Sequence, residues 1–199
     1  LDRAGSESEF VSVSDVARAA LATHPWTIGG GGASELRRVI EGEDRPKLAS
    51  RAKEAGFFGI SAADEIFLAD SASFRRRHIE PTLVRPIISG DEVRDWSAAP
   101  GMAAFFPYGA DDVVDLKPYK MATRWLWPYR YLLGSRVTFS KKTYLEEGRP
   151  WWGWHQVALG RIATPLTITV GEVATHNHFV LDRGGRVFNR TAPVLKLSG

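Results

Sequence analysis

Leu166-Thr167-Ile168-Thr169-Val170, then Ala174 to Leu181, then Asp182-Arg183-Gly184-Gly185, is the stretch that decides the fold class. Its apolar and β-branched residues are spaced as in strands, and an Asp leading to two glycines is a turn signal. The spacing predicts strands over 166–170 and 174–181, with Arg186 to Asn189 pairing back as a hairpin. Upstream the periodicity is helical. Val13 to Ala22 reads as a short amphipathic helix capped by Ser12 or Ser14, and Ser34 to Ile40 reads as a second. A third starts after Asp44, with Pro46 in its first turn, and stops before Gly56. Glu65 to Asp70 and Met102 to Phe106 read as strands, the latter closed by Pro107. Trp125 to Leu133 reads as a helix that tolerates Pro128 early, and 141–165 as a long ordered loop. That order of elements predicts an α+β fold, a mixed sheet and hairpin domain with a helical N-terminal segment.

The chain has 199 residues, enough for one domain with a real core, or for one domain plus a small subdomain. Hydrophobic residues make up 44% and charged residues 25%, the balance of a globular protein. No apolar run approaches the ~18 residues of a membrane-spanning helix, so no membrane partner is expected. The polar start, Leu1-Asp2-Arg3-Ala4-Gly5, is no signal peptide and reads as a cut inside a longer protein. Cys is absent, which excludes disulfides, thiolate metal sites and a Cys nucleophile, and fits a cytoplasmic location.

Net charge is only +3, but it is unevenly placed. Residues 117–161 hold nine Lys and Arg against two acids, along with five of the seven Trp and four of the five Tyr. Residues 1–116 are net acidic. Cations interleaved with aromatics suit a nucleic-acid surface, because cations displace phosphate counterions while planar rings stack on bases. The same pattern also describes an aromatic core under a solvated basic face.

Several strings look like chemistry without carrying it. Gly29-Gly30-Gly31-Gly32 lacks the preceding apolar strand of a dinucleotide site and the Gly-Lys-Ser/Thr ending of a P-loop, so it reads as a linker. His176 and His178 would share one face of a strand, yet no carboxylate joins them at ligand spacing. Phe106-Pro107-Tyr108 lacks the amide or acid and the second Pro of an Asn-Pro-Pro-Tyr tetrapeptide, which holds a target amine in adenine methyltransferases. No catalytic, cofactor-binding or metal residue is therefore assigned.

Binding residues are more legible. Lys141, Lys142, Tyr144, Arg149 and Arg161 lie in or beside the polar loop and are candidates for phosphate or base contacts. Trp151-Trp152-Gly153-Trp154-His155-Gln156 packs three indoles beside two base-reading side chains. Trp151 or Trp152 is expected to be covered, while Trp154, His155 and Gln156 face the groove, where Gln pairs with adenine and His donates to guanine. His176, Asn177 and His178 form a second polar group for bases or phosphates, and Trp125 and Trp127 are expected to be structural.

From about Gly56 onward the chain resembles the TaqI-like C-terminal specificity domain of adenine-specific DNA methyltransferases. Ile79 to Arg94 carries the family's Pro-Leu-like pair leading to Gly90-Asp91, and Phe105-Phe106-Pro107-Tyr108 is the strand closing in Pro-Tyr. Tyr131-Leu132-Leu133 with Arg136, the Trp151 to Trp154 loop, and Phe179 to Phe188 as the closing hairpin follow in the same order. Thr167 departs from the pattern, since similar domains often carry Lys there. The resemblance implies a connector over 1–55 and a target recognition domain over 56–199 that reads double-stranded DNA. It further implies a parent restriction-modification enzyme whose catalytic domain binds S-adenosylmethionine and flips out an adenine, and leaves a fused endonuclease open. On that reading the fragment has no activity or cofactor of its own. Rival readings are an RNA or single-strand binder, a Trp-rich carbohydrate- or peptide-binding module, and a hydrolase using His155, His176 and His178.

Overall fold

The computed structural model describes residues 3–197 apart from 23, 25, 28–31, 43–45 and 162–165. Gly29 to Gly31 and the Asp44 start of the third expected helix lie outside those residues. The chain divides into two compact units, Leu1–Arg51 and Ala52–Gly199.

The first unit is built of short pieces. Glu7 and Ser12 form an isolated bridge. The helix expected over 13–22 is only a 3-10 turn, Arg18–Leu21, in which nothing is buried and no side chain caps the start. Short helices gain most of their stability from a buried face, and this one has none. Helix α1 (Ala33–Ile40) forms where expected, entered through Gly32 at φ +79°. Arg37 pairs with Glu41 one turn on, at 2.8 Å. The third expected helix is the single turn α2 (Leu48–Arg51), after which the chain becomes a strand instead of continuing to Gly56.

In the second unit the described strands are, in order, β1 (Ala52–Gly56), β2 (Gly59–Ile60), β3 (Leu68–Ala69), β4 (Val84–Ile88), β5 (Val93–Arg94), β6 (Ser97–Ala98), β7 (Met102–Phe105), β8 (Gln156–Val157), β9 (Thr167–Val170), β10 (Phe179–Asp182), β11 (Val187–Phe188) and β12 (Val194–Leu197). Its helices are α3 (Asp64–Phe67), α4 (Ser71–Arg76), α5 (Lys120–Leu126) and α6 (Arg130–Gly134). One antiparallel sheet has the order β1-β12-β9-β10, and a mixed sheet has the order β11-β4-β7-β3. The fold is α+β, as the element order predicts.

Three local expectations change for physical reasons. The strand expected over 65–70 is confined to Leu68–Ala69, and 65–67 are helical, because Ile66 and Phe67 are both buried, which strict strand alternation cannot achieve. Strand β11 does not pair back on β10. The Asp182 carboxylate accepts from the Gly184 amide at 3.0 Å, positive φ at Gly184 and Gly185 redirects the chain, and β11 runs parallel to β4 in the other sheet. The helix expected over 125–133 starts earlier, at Lys120, and tightens into a 3-10 turn where Pro128 removes an amide donor.

The core is aromatic and centres on β7. Phe105 is buried against Phe67 and Trp125, while Phe106 meets Phe58 and Trp154. Aromatic pairs in offset or edge-to-face arrangements add about 0.5–1.5 kcal/mol each beyond the area they bury. Trp125 also meets Phe74 edge-on at 5.4 Å, which gives it the structural role expected of it. Among the described residues no helix is long and apolar enough to cross a membrane.

Candidate nucleic-acid interface

The segment carrying Lys141 and Lys142 is pinned by its own acids. Val137 bridges to Thr143, and the Thr138 amide donates to the Lys142 carbonyl at 2.8 Å. Glu147 accepts from the hydroxyls of Thr138 and Ser140, while Glu146 accepts from the Thr143 amide and hydroxyl at 2.7 and 2.8 Å. These bonds hold both carboxyls below the usual glutamate range. The acids are thus engaged by hydroxyls and by the Thr143 amide, and Lys141 and Lys142 stand out in water at the turn. Phe139, beside them, is 85% exposed, a feature the sequence reading passes over.

The tryptophan loop is fixed by two residues from other elements. Arg136 donates to the carbonyls of Ser61, Trp151 and Gly153 at 2.9, 2.9 and 2.7 Å and, through Nε, to Leu133 at 2.8 Å. The Tyr108 hydroxyl accepts from the Trp154 amide at 2.8 Å. Burial pushes the Tyr108 phenol far up, so it stays a neutral hydrogen-bonding group. Trp154 itself is 4% exposed, its indole N–H donating to the Phe105 carbonyl at 2.9 Å. The sequence reading places Trp154 on the DNA side. The structure corrects this, because the indole completes the aromatic core. Tyr144 is likewise corrected. It is 1% exposed, bonds the His155 carbonyl at 3.1 Å, and lies between the guanidiniums of Arg136 and Arg149 at 4.6 and 4.8 Å from its ring.

His155 and Gln156 remain partly exposed along a cleft of about 480 Å³ that Phe57, Phe139 and Arg149 also line. The His155 Nδ1 lies 3.2 Å from the Tyr144 hydroxyl. Burial, then the positive charges of Arg136 and Arg149, hold its imidazole below the ordinary value. Gln156 pairs through its backbone with Ile60 in the β2–β8 ladder. Of the candidates, Arg149, His155 and Gln156 are therefore brought together, with Lys141 and Lys142 on the neighbouring turn.

Arg161 belongs elsewhere. Its guanidinium donates to the carbonyls of Ala55 and Phe57 and lies 3.3 Å from Glu54, so it ties β1 to the chain that follows. This is a structural role rather than the phosphate contact expected of it. His176, Asn177 and His178 lie in the irregular segment before β10 and not on a strand. The His178 Nδ1 accepts from the Asp95 amide at 3.2 Å. Among the described residues no three His, Asp or Glu side chains gather as metal ligands. Opposite Thr167 in the ladder, Lys196 donates to the Thr167 hydroxyl. That lysine is buried, and burial lowers its pKa.

Sequence reasoning misses a groove of about 590 Å³ over α5. Trp127, Trp151 and Trp152 give it an aromatic floor, and Lys117, Lys120 and Arg124 stand around it with Asp115. Trp127 is 54% exposed, with the Arg130 guanidinium 4.5 Å from its ring, which corrects its expected burial. Its signal was present as three cations at near-helical spacing. Glu80 sets the helix in place by accepting from the Met121 and Ala122 amides at 3.0 and 2.9 Å.

The α+β body thus bears a lysine turn, a His–Gln edge and a basic aromatic groove. The chain is 43% identical over 199 residues to a Streptomyces coelicolor protein named adenine-specific methyltransferase PglX. The match covers 99% of this chain but 16% of the relative, so the chain spans about a sixth of that protein's length. No family model matches the chain.

Proposed function

We propose that the chain is part of an S-adenosylmethionine-dependent, adenine-specific DNA methyltransferase of a restriction-modification system, and that its larger unit reads double-stranded DNA. Residues 56–199 act as the target recognition domain and 1–55 as the connector to a catalytic domain of the same parent, in the cytoplasm. The observation that carries this reading is the 43% identity along the chain to a protein named adenine-specific methyltransferase. The site supports it chemically. Lys141 and Lys142 are exposed on a turn whose carboxylates are already bonded to Thr138, Ser140 and Thr143, so both ammonium groups face water where they can meet phosphates. His155, Gln156 and Arg149 line the adjoining cleft and offer donors and acceptors suited to base edges. S-adenosylmethionine and the methyl transfer belong to the parent's catalytic domain; this chain's residues position the duplex.

The test is duplex binding by the double variant Lys141→Ala/Lys142→Ala. Affinity should fall by about tenfold, as expected for two lost phosphate contacts, with the melting temperature unchanged. Unchanged affinity would contradict the assignment of this turn.

A further inference from the structure

The β5–β6 hairpin turns on Asp95 and Trp96, at φ +44° and +70°. Two consecutive positive φ values define a turn that Gly and Asn enter readily, whereas a bulky L side chain is strained there. Trp96 is nonetheless 76% exposed, with its ring stacked on Phe179 at 6.3 Å and 30°. A strained tryptophan left facing water contributes little to a fold, and such outliers gather where they serve a ligand.

The turn is tied to the polar segment nominated from the sequence. The Asp95 amide donates to the His178 Nδ1, the Asp95 carboxylate lies 3.4 Å from the same nitrogen, and the His178 and His176 rings are 5.9 Å apart. His176 and Asn177 are exposed. The juxtaposition is thus an exposed indole on a turn whose Asp95 contacts His178, next in the chain to the exposed His176 and Asn177. Phosphates are met by cations, but an unstacked base is met by a flat ring on its face and neutral donors and acceptors on its edge.

We propose that Trp96 is a wedge that stacks within the DNA base stack, with Asn177 and His176 reading the base beside it. The proposal rests on the DNA reading above and adds a second contact point to the Lys141–Lys142 turn. Insertion of an apolar wedge unstacks a base step, so a duplex already opened at one position should be preferred.

The experiment compares binding of the full chain to an intact duplex and to the same duplex with one abasic position, by fluorescence anisotropy. The parent chain should prefer the abasic duplex. Trp96→Gly should lose about 5- to 150-fold of affinity for the abasic duplex and most of the preference. Its melting temperature should stay within about 2 °C of the parent, because relief of the left-handed strain offsets the lost Phe179 contact. Lys141→Ala/Lys142→Ala should weaken both duplexes equally and keep the preference. An unchanged preference in Trp96→Gly would overturn the wedge while leaving the DNA reading standing. A melting temperature lowered by about 8 °C or more would overturn it too, by making Trp96 a structural residue. Failure of the parent chain to bind either duplex would overturn the DNA reading and the wedge together.

Discussion

The guanidinium of Arg136 holds the Gly153 carbonyl at 2.7 Å across 17 residues of chain. Together with its bonds to Ser61, Leu133 and Trp151, this makes one side chain the clamp of the tryptophan loop. Arg136→Met should leave several partly buried carbonyls without a donor and cost about 2–4 kcal/mol. Arg136→Lys should not restore it, since an ammonium lacks the planar fork that spans these acceptors. Urea denaturation followed by tryptophan fluorescence measures both. Full stability in the Lys variant would contradict the clamp.

Trp154 sits in the core with its indole N–H on the Phe105 carbonyl. Trp154→Ala should lower stability by about 3–5 kcal/mol through the cavity and the orphaned carbonyl. Calorimetry checks this. A variant that melts like the parent but loses DNA affinity would return Trp154 to the surface role its sequence position suggests.

Much of the architecture is legible because it depends on local pattern. Met102 to Phe105, Thr167 to Val170 and Ala33 to Ile40 form where periodicity places them. The elements that depart do so through tertiary partners. Val187 and Phe188 are buried and pair with Ile87 and Ile88 of β4, far upstream in the chain, instead of with neighbouring β10. The site follows the same rule. Lys141 and Lys142 are exposed as loop cations should be, but nothing local distinguishes Trp154 from Trp127, and packing buries the first and exposes the second. Arg161 resembles any basic loop residue until its bonds to Ala55 and Phe57 are seen.

Gly90 lies against Thr191, where an added Cβ would sit 2.2 Å from a backbone oxygen. Gly90→Ala must therefore move main chain, and a loss of about 1–3 kcal/mol or more is expected. At Gly185 nothing lies within 4 Å, but φ is +88°. Gly185→Ala should cost only about 1 kcal/mol of backbone strain. Paired thermal melts compare them, and the reverse ranking would contradict the packing of the turn after β4 against the β11–β12 connection.

His155 gives stability a pH dependence of definite sign. Its imidazole titrates below the ordinary 6.5 in the fold, through burial first and then the Arg136 and Arg149 charges. As pH falls, the unfolded chain takes up the proton before the folded one. The neutral ring thus contributes stability that is present in full above the unfolded value and is lost as pH falls through the folded value. His155→Gln should flatten the stability curve below pH ~6.5. An equal slope in the variant would show that another group titrates.

The central claim, that the larger unit meets DNA through its cationic surface, is tested most directly by duplex affinity across a salt series. With about four phosphate contacts, affinity should fall about a hundredfold between 50 and 200 mM salt. A flat response, or no measurable duplex binding at 50 mM, would contradict it.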